Sequence, residues 1–440
     1  MRASDRWERW RGWGYGLSMR LLPSALLVLV ACKDDPAPTA PATEVGLPSE
    51  VVDSLDPMRM KGIVDRLAGD ELTGRLSGSP GHDLAFEEVL GWMQEAGLEP
   101  AGLNGDYVYP YVAEPVDGFF MLDESGAVVP HDTDYGLNLM GLVPGSDPER
   151  AHETIVVMAH WDHLGVNEEG GIYNGAFDDA GGVAVAMEVA RLFATHGAPA
   201  RSLLFMFTDG EEGGLDSPRA WLDEPTIDPT DVVCAISVDP IGRPLLPDYA
   251  PVVFSGIERS PALQDRFEAL APLVDAPVVF VNRDLIPVFA SDQDPFFEHE
   301  DPRPGVWMVT PGMSFYHTTG DVAETIDYNV MLDTAELLAQ VLWDVGNDTA
   351  HYPYEGPQPL DAQAGTDVRA LLEGVVASEE ITGSERNQTE DYLDVLDEGI
   401  AADDLTSIPG WQGYNVAMVY FLLFELSEAH PGPIPPPFPE

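Results

Sequence analysis

Thr154-Ile155-Val156-Val157-Met158-Ala159-His160-Trp161-Asp162-His163 is the stretch on which the fold of this chain turns. Ile155 to Met158 is apolar without alternation, as a strand covered on both faces must be, and it runs directly into His160 and Asp162. The pattern repeats outward. Leu203 to Phe207 is a second such run and is followed by Asp209-Gly210-Glu211-Glu212-Gly213-Gly214; Val232 to Val238 is a third and stops at Asp239. Val278 to Val281 and Val306 to Val309 read as further strands, with helices predicted over Gly182 to Thr195 and Asn329 to Trp343. Upstream, Met60, Ile63, Val64 and Leu67 have helical spacing, and a second helix is expected from Asp83 to Ala96, stopped at Gly97. Strands alternating with helices define an α/β layered domain.

Polar residues collect where these strands end, which is where open α/β sheets bind ligands. Asp178, in the loop Gly175-Ala176-Phe177-Asp178-Asp179 that opens a helix, and His317, in Tyr316-His317-Thr318-Thr319-Gly320-Asp321, join the set. Two imidazoles and several carboxylates suit a pair of divalent cations: three carboxylates and a hydroxide balance four positive charges, and neutral imidazoles complete the shells. Zinc accepts both nitrogen and carboxylate oxygen, whereas magnesium and calcium favour oxygen throughout. Taken singly, each motif has a second reading. Paired glutamates are common in an acidic chain, and a histidine at a strand end is commonly structural.

Composition narrows the function. Among 440 residues, 76 Asp and Glu face 21 Lys and Arg, for a formal charge of -55, so no basic face is available for nucleic acid. Two cysteines, Cys32 and Cys234, exclude a disulfide scaffold. Leu21 to Ala31 is an apolar run too short to span a bilayer. Preceded by Arg20 and closed by Leu29-Val30-Ala31-Cys32, it reads as a secretory signal, with translation starting at Met19. The closing residues look like a lipobox, which makes Cys32 the lipidated mature N-terminus. The domain organisation expected is a signal peptide over 1–32, a Pro/Ala/Thr-rich tether over 33–56, a catalytic domain over 57–348 and an acidic helical C-terminal extension over 349–440. In the extension, Thr366 to Glu379 and Thr389 to Ala401 read as amphipathic helices, and Val416 to Leu426 carries only Glu425 as a charge.

The order of the pieces resembles the M28 family of zinc exopeptidases, which includes bacterial leucyl aminopeptidases. The likeness runs from about Pro57 to Asn347. It rests on Asp70 to Arg75, Asn138 to Gly145, the motif at 160–163, Gly175 to Asp179, Glu211-Glu212, Asp239 to Arg243, Ser291-Asp292 and His317. The resemblance implies a three-layer αβα sandwich with a mixed, mostly parallel central sheet, two zinc ions and removal of N-terminal residues from peptides. It implies that Asp178 bridges the metals, that His160 and Asp239 complete one and that Glu212 and His317 complete the other. Glu211 is then the general base, taking a proton from the bridging water and passing it to the departing amine. Asp162 accepts from the other nitrogen of His160, Tyr316 hydrogen-bonds the oxyanion, and the Asp178–Asp179 peptide bond is cis. Pro240, Trp161, Phe177 and Gln293 depart from the family's usual residues and are expected to reshape the substrate pocket. A carboxypeptidase, a glutaminyl cyclase relative and an inactive scaffold are the alternatives. The partners expected are peptide substrates and, through the lipid on Cys32, the membrane; Lys33 after the cysteine points to the outer membrane of a Gram-negative envelope.

Overall fold

Caps explain where the first helices begin. The computed structural model describes residues 46–431 apart from 114–117, 124, 132 and 287–289, so the leader, Cys32 and residues 33–45 of the tether lie outside the described residues. The rest of the expected tether holds a short helix, Ser49–Val52, between buried Leu47 and Leu55. Helix α1 (Pro57–Leu67) starts on Asp56, whose carboxylate accepts from the Met58 and Arg59 amides. Helix α2 (Pro80–Ala96) starts on Ser79, with Pro80 in its first turn, and stops at Gly97 in the left-handed region. It therefore begins three residues before the Asp83 expected, because Ser79-Pro80 is a cap followed by a first-turn proline.

Strands β1 (Glu99–Pro100), β2 (Val108–Val112), β3 (Phe119–Leu122), β4 (Val128–His131), β5 (Tyr135–Val143) and β6 (Thr154–His160) follow. After them come α3 (Gly181–His196), β7 (Ser202–Thr208), α4 (Asp216–Asp223), β8 (Val232–Val238), β9 (Val252–Ser255), α5 (Pro261–Leu270), β10 (Val278–Val281), α6 (Asp294–Glu298), β11 (Gly305–Val309) and α7 (Tyr328–Asn347). The C-terminal region is helical: α8 (Ala362–Ala377), α9 (Gly383–Ala402) and α10 (Trp411–Tyr420), which runs on into a π-helical turn, Phe421–Leu426.

The sheet is ordered β1-β5-β7-β6-β8-β11-β9-β10, with β2 also pairing with β5. Its centre, β7-β6-β8-β11, is parallel; β5 runs antiparallel to β7, and β9 antiparallel to β11. Successive residues of each strand face opposite sides. Ile155, Val157, Leu203, Phe205 and Ile236 pack under α1, α2, α3 and α7, while Val156, Met158, Leu204, Met206 and Ala235 pack under Trp221 of α4 and Phe296 of α6. The two helical layers are thus unequal, and the second is thin. Each large side chain so buried contributes about 1.5–3 kcal/mol.

Register decides where the chemistry emerges. His160 pairs with Thr208 across β6 and β7, and Met158 pairs with Ser237 across β6 and β8. His160, the Asp209–Glu212 turn and Asp239 therefore leave the sheet side by side at its carboxyl edge. The helices after residue 349 are joined to this body: α8 packs on β10, the Asn415 amide donates to the Leu285 carbonyl at 2.9 Å, and Leu371, Met418 and Leu422 belong to the same buried cluster as the sheet. No helix among the described residues is long and apolar enough to cross a membrane.

Candidate metal centre

Asp178 is the hub. Its Oδ1 lies 2.9 Å from His160 Nε2 and its Oδ2 lies 3.0 Å from His317 Nε2, so the two oxygens face two imidazoles. On the first side, Asp239 Oδ1 is 3.4 Å from His160 Nε2; on the second, Glu212 Oε2 is 3.3 Å from His317 Nε2. Donor atoms about 2.0–2.1 Å from a tetrahedral zinc stand about 3.3 Å apart, and these four separations match that spacing. Asp178 Oδ2 and Glu212 Oε1 are buried without a hydrogen bond of good geometry, as atoms reserved for a cation are. All five expected ligands thus converge, and the residues fit two divalent ions. Asp179 adds a carboxylate near His160 and Asp239. It is held there by accepting from the His160 amide at 3.2 Å and the Gly182 amide at 2.9 Å.

The loop that presents Asp178 is fixed by charges distant in sequence. Its peptide bond to Asp179 is cis, as the resemblance implies, and so is that between Asp239 and Pro240. Asp321 accepts from the Phe177 amide at 2.8 Å and the Asp178 amide at 3.2 Å, and it pairs with Arg243 at 2.7 Å. Arg75, fully buried, donates to five carbonyls: Trp161 at 2.9 Å, Leu67 at 3.2 Å, Asn174 at 2.5 Å, Gly175 at 2.8 Å and Asp178 at 3.2 Å. Both arginines clamp backbone around the ligands.

Glu211 and Asp162 flank the hub. Burial, with the nearby Asp239 and Glu212 charges adding to it against His160, pushes the Glu211 carboxyl well above its usual range. Asp162 Oδ1 accepts from the Glu211 amide at 3.3 Å and lies 3.6 Å from His160 Nδ1, beyond a hydrogen bond. The expectation that Asp162 accepts from that nitrogen is corrected accordingly: the aspartate anchors the Glu211 turn. Tyr316 stacks on His317 with ring centroids 3.9 Å apart. Trp161 and Phe177 were expected to reshape the substrate pocket, but both are fully buried. Trp161 stacks on His82 and Phe177 lies under Arg243, so both are core residues.

Three functional positions escaped the sequence reading. His163 is a third imidazole, buried, with Nδ1 2.7 Å from Glu212 Oε1, although neither atom makes a well-aligned hydrogen bond. Its place in the 160–163 motif was the available signal. Ser291 donates to Asp239 Oδ2 at 2.5 Å and so orients a ligand. Asp209 accepts from Ser77 at 2.5 Å and from the Leu137 amide at 2.7 Å, tying the Glu211 turn to β5.

The fold and this cluster of acids and histidines at the sheet edge define a metallopeptidase-like centre. Residues 138–342 match the sequence profile of peptidase family M28, so over this segment the chain is similar to that family. It is 31% identical to a probable zinc metalloprotease of Pyricularia oryzae over 191 residues, covering 41% of this chain and 36% of that one. The match therefore spans little more than a third of the relative. The fold is similar to that of LapB from Legionella pneumophila, with a TM-score of 0.50, 16% identity and coverage of 71% of this chain and 77% of the other. It is similar too to BSAP, a zinc aminopeptidase from Bacillus subtilis, with a TM-score of 0.52, 12% identity and coverage of 66% and 95%.

Proposed function

We propose that the chain is a dizinc exopeptidase that removes N-terminal residues from peptides. One observation carries the reading: the two oxygens of Asp178 face separate nitrogen and carboxylate sets, His160 with Asp239 and His317 with Glu212. Zinc held there would supply Lewis acidity and acidify a water towards neutral pH. The chain's own part is positioning and proton transfer. A carboxyl with a raised pKa can take a proton from water and return it to a leaving amine, and Glu211, next to Glu212 but outside the candidate metal groups, is such a carboxyl. Tyr316, stacked beside His317, is within the same rim and is assigned to the oxyanion. The match of residues 138–342 to the family profile and the likeness to a zinc aminopeptidase fold support the assignment.

The deciding experiment counts zinc in the purified chain and assays free and N-blocked aminoacyl substrates together. About two zinc ions per chain with cleavage only of free amines supports the proposal. Cleavage of N-blocked dipeptides makes the protein a carboxypeptidase, cyclisation of N-terminal glutamine makes it a cyclase relative, and neither metal nor turnover makes it a scaffold. For location, we propose export and lipid anchoring at Cys32. Membrane fractionation and fatty-acid labelling that disappear in Cys32→Ser are the expected result, and recovery of wild-type chain entirely in the soluble fraction overturns it.

A further inference from the structure

His82 is a buried imidazole that the metal centre does not use. It stands in the first turn of α2 and is fully buried. The run Ser79-Pro80-Gly81-His82 puts it there. Ser79 caps the helix by accepting from the His82 amide at 3.2 Å, and Gly81 lets the turn press onto the preceding backbone, since a Cβ at Gly81 would lie 1.7 Å from the Leu72 carbonyl oxygen. Two groups then hold the ring. It stacks on Trp161 with centroids 4.2 Å apart and 21° between the planes, and its Nε2 lies 3.0 Å from Asp209 Oδ1, an ion-pair contact rather than an aligned hydrogen bond.

Both groups belong to the anchors of the turn that carries Glu211. Asp209, fully buried, opens that turn: Oδ1, the oxygen facing His82, also accepts from Ser77, Oδ2 accepts from the Leu137 amide, and the Asp209 carbonyl accepts from the Tyr111 hydroxyl. Trp161 immediately precedes Asp162, whose Oδ1 accepts from the Glu211 amide at 3.3 Å. One imidazole therefore spans the two attachments of the turn. Charge points the same way. Ser77 and the Leu137 amide are neutral donors, whereas His82 can supply the counter-charge that a buried carboxylate requires. Burial opposes a second proton on His82, and Asp209, with Asp162 and Asp83 adding, outweighs it.

We propose that His82 is a positioning residue: by bridging Asp209 and Trp161 it fixes where the Glu211 carboxyl stands, and so sets the rate of proton transfer without itself holding metal or substrate. The proposal rests on the reading of Glu211 as the general base of an exopeptidase.

The test uses the full zinc-loaded chain, a free-amine aminoacyl substrate, and two substitutions made alone and together with Glu211→Gln. His82→Phe keeps a flat ring on Trp161 and removes the nitrogen facing Asp209; His82→Gln keeps a donor and removes the ring. His82→Phe should lower kcat roughly ten- to hundred-fold, the size of a small misplacement of a catalytic group, with KM and zinc content unchanged. His82→Gln should recover part of that loss. In the Glu211→Gln background either substitution should change kcat by no more than about two-fold, because the group being positioned has already lost its chemistry. Losses that multiply with that of Glu211→Gln, a fall in zinc content, or a raised KM with kcat intact overturn the proposal. Hydrogen exchange gives a reading free of turnover. The amides of residues 209–213 should exchange about ten-fold faster or more in His82→Phe, while those of β6 keep their protection; unchanged exchange in the turn overturns the proposal. Where His82→Phe fails to fold, His82→Gln decides by the same comparisons, and no change in its kcat or exchange is the overturning result. Wild-type chain that binds zinc but cleaves no free-amine substrate removes the exopeptidase reading, and hydrogen exchange then decides whether His82 holds the turn.

Discussion

Arg75→Met tests whether the candidate centre is held by one buried guanidinium. The substitution keeps the apolar stem and removes both the charge and the donors that reach the carbonyls of Trp161, Leu67, Asn174, Gly175 and Asp178. Burial lowers the pKa of this guanidinium, and Asp178, Asp321, Asp162 and Asp179 oppose that shift, so the same change strips four carboxylates of a counter-charge. Removing one partner from such a buried arrangement costs about 3–5 kcal/mol, a large part of a total stability of about 5–15 kcal/mol. With a urea dependence of about 3 kcal/mol/M, the midpoint should fall by about 1–1.7 M. Arg75→Lys should fall between wild type and Arg75→Met, because an ammonium has three donors for five carbonyls. The assay is urea unfolding followed by tryptophan fluorescence, on zinc-loaded and on chelated protein. A shift below about 0.2 M for Arg75→Met in both states would refute the clamp, since that is the size of an ordinary surface change.

Glu211→Gln should leave zinc content intact while turnover falls by ~10²-fold or more, whereas Glu212→Gln should lose metal; metal analysis beside kinetics checks both, and exchanged phenotypes would exchange the roles. Asp367 is pushed up to about 6 by burial, with Glu268 and Asp361 adding and the Gln363 hydrogen bond opposing. A folded-state pKa above the unfolded one gives stability that is present at low pH and lost as pH rises through about 6. Asp367→Asn should therefore raise the melting temperature at pH 7.5 and leave it unchanged at pH 4; a rise of equal size at both removes the explanation. After chelation, burial opposes protonation of His317, but the facing Asp178 and Glu212 carboxylates raise it to about 10, and Asp239, Asp162 and Asp178 likewise raise His160 against burial. Zinc takes neutral imidazole, so its uptake at pH 7 should release about two protons or more, read as a dependence of the calorimetric heat on buffer ionisation enthalpy; identical heats in all buffers would contradict this.

How much of this was legible differed by strand. The centre of the sheet was, because β6, β7, β8 and β11 are covered on both faces and their runs are apolar throughout. Strand β5 was not, since Gly136 and Gly141 interrupt its apolar run. In the fold they are gaps for neighbours: a Cβ at Gly136 would lie 2.2 Å from the Tyr111 ring, and one at Gly141 would lie 2.7 Å from Leu98. Pro110 disguised β2, which pairs only with β5 at the side of the sheet. The five metal-facing residues were legible because they sit at strand ends and in loops in a family order. Their supports were not. Arg75 reaches a carbonyl 103 positions away and Arg243 a carboxylate 78 positions away, and pairs at such separations leave no periodic trace in a single sequence. His163 was hidden differently, beside two residues whose roles the resemblance already supplied.

The charge of -55 has two physically distinct parts. Carboxylates on the surface are solvated and screened beyond about 8 Å at physiological salt. Asp162, Asp178, Asp179, Asp239 and Asp292 are buried at one place, where screening is weak and each must be neutralised by a proton, a protein cation or a metal. Protein cations do not suffice. Arg75 spends its donors on carbonyls, and Arg243 reaches Asp321, the Ser314 carbonyl and Thr325, leaving Asp178 Oδ2 and Glu212 Oε1 without a well-formed hydrogen bond. Protons meet part of the need: burial raises Asp292 to about 7 and moves Asp162 and Asp179 upward as well. The oxygens that remain face His317 and His163, and divalent cations held here would satisfy them without protonating the carboxylates that must accept charge. An excess of acid that conceals the site in the sequence thus marks it in the fold, because here several acids are removed from water together, whereas buried Glu188 and Asp294 are each paired with an arginine.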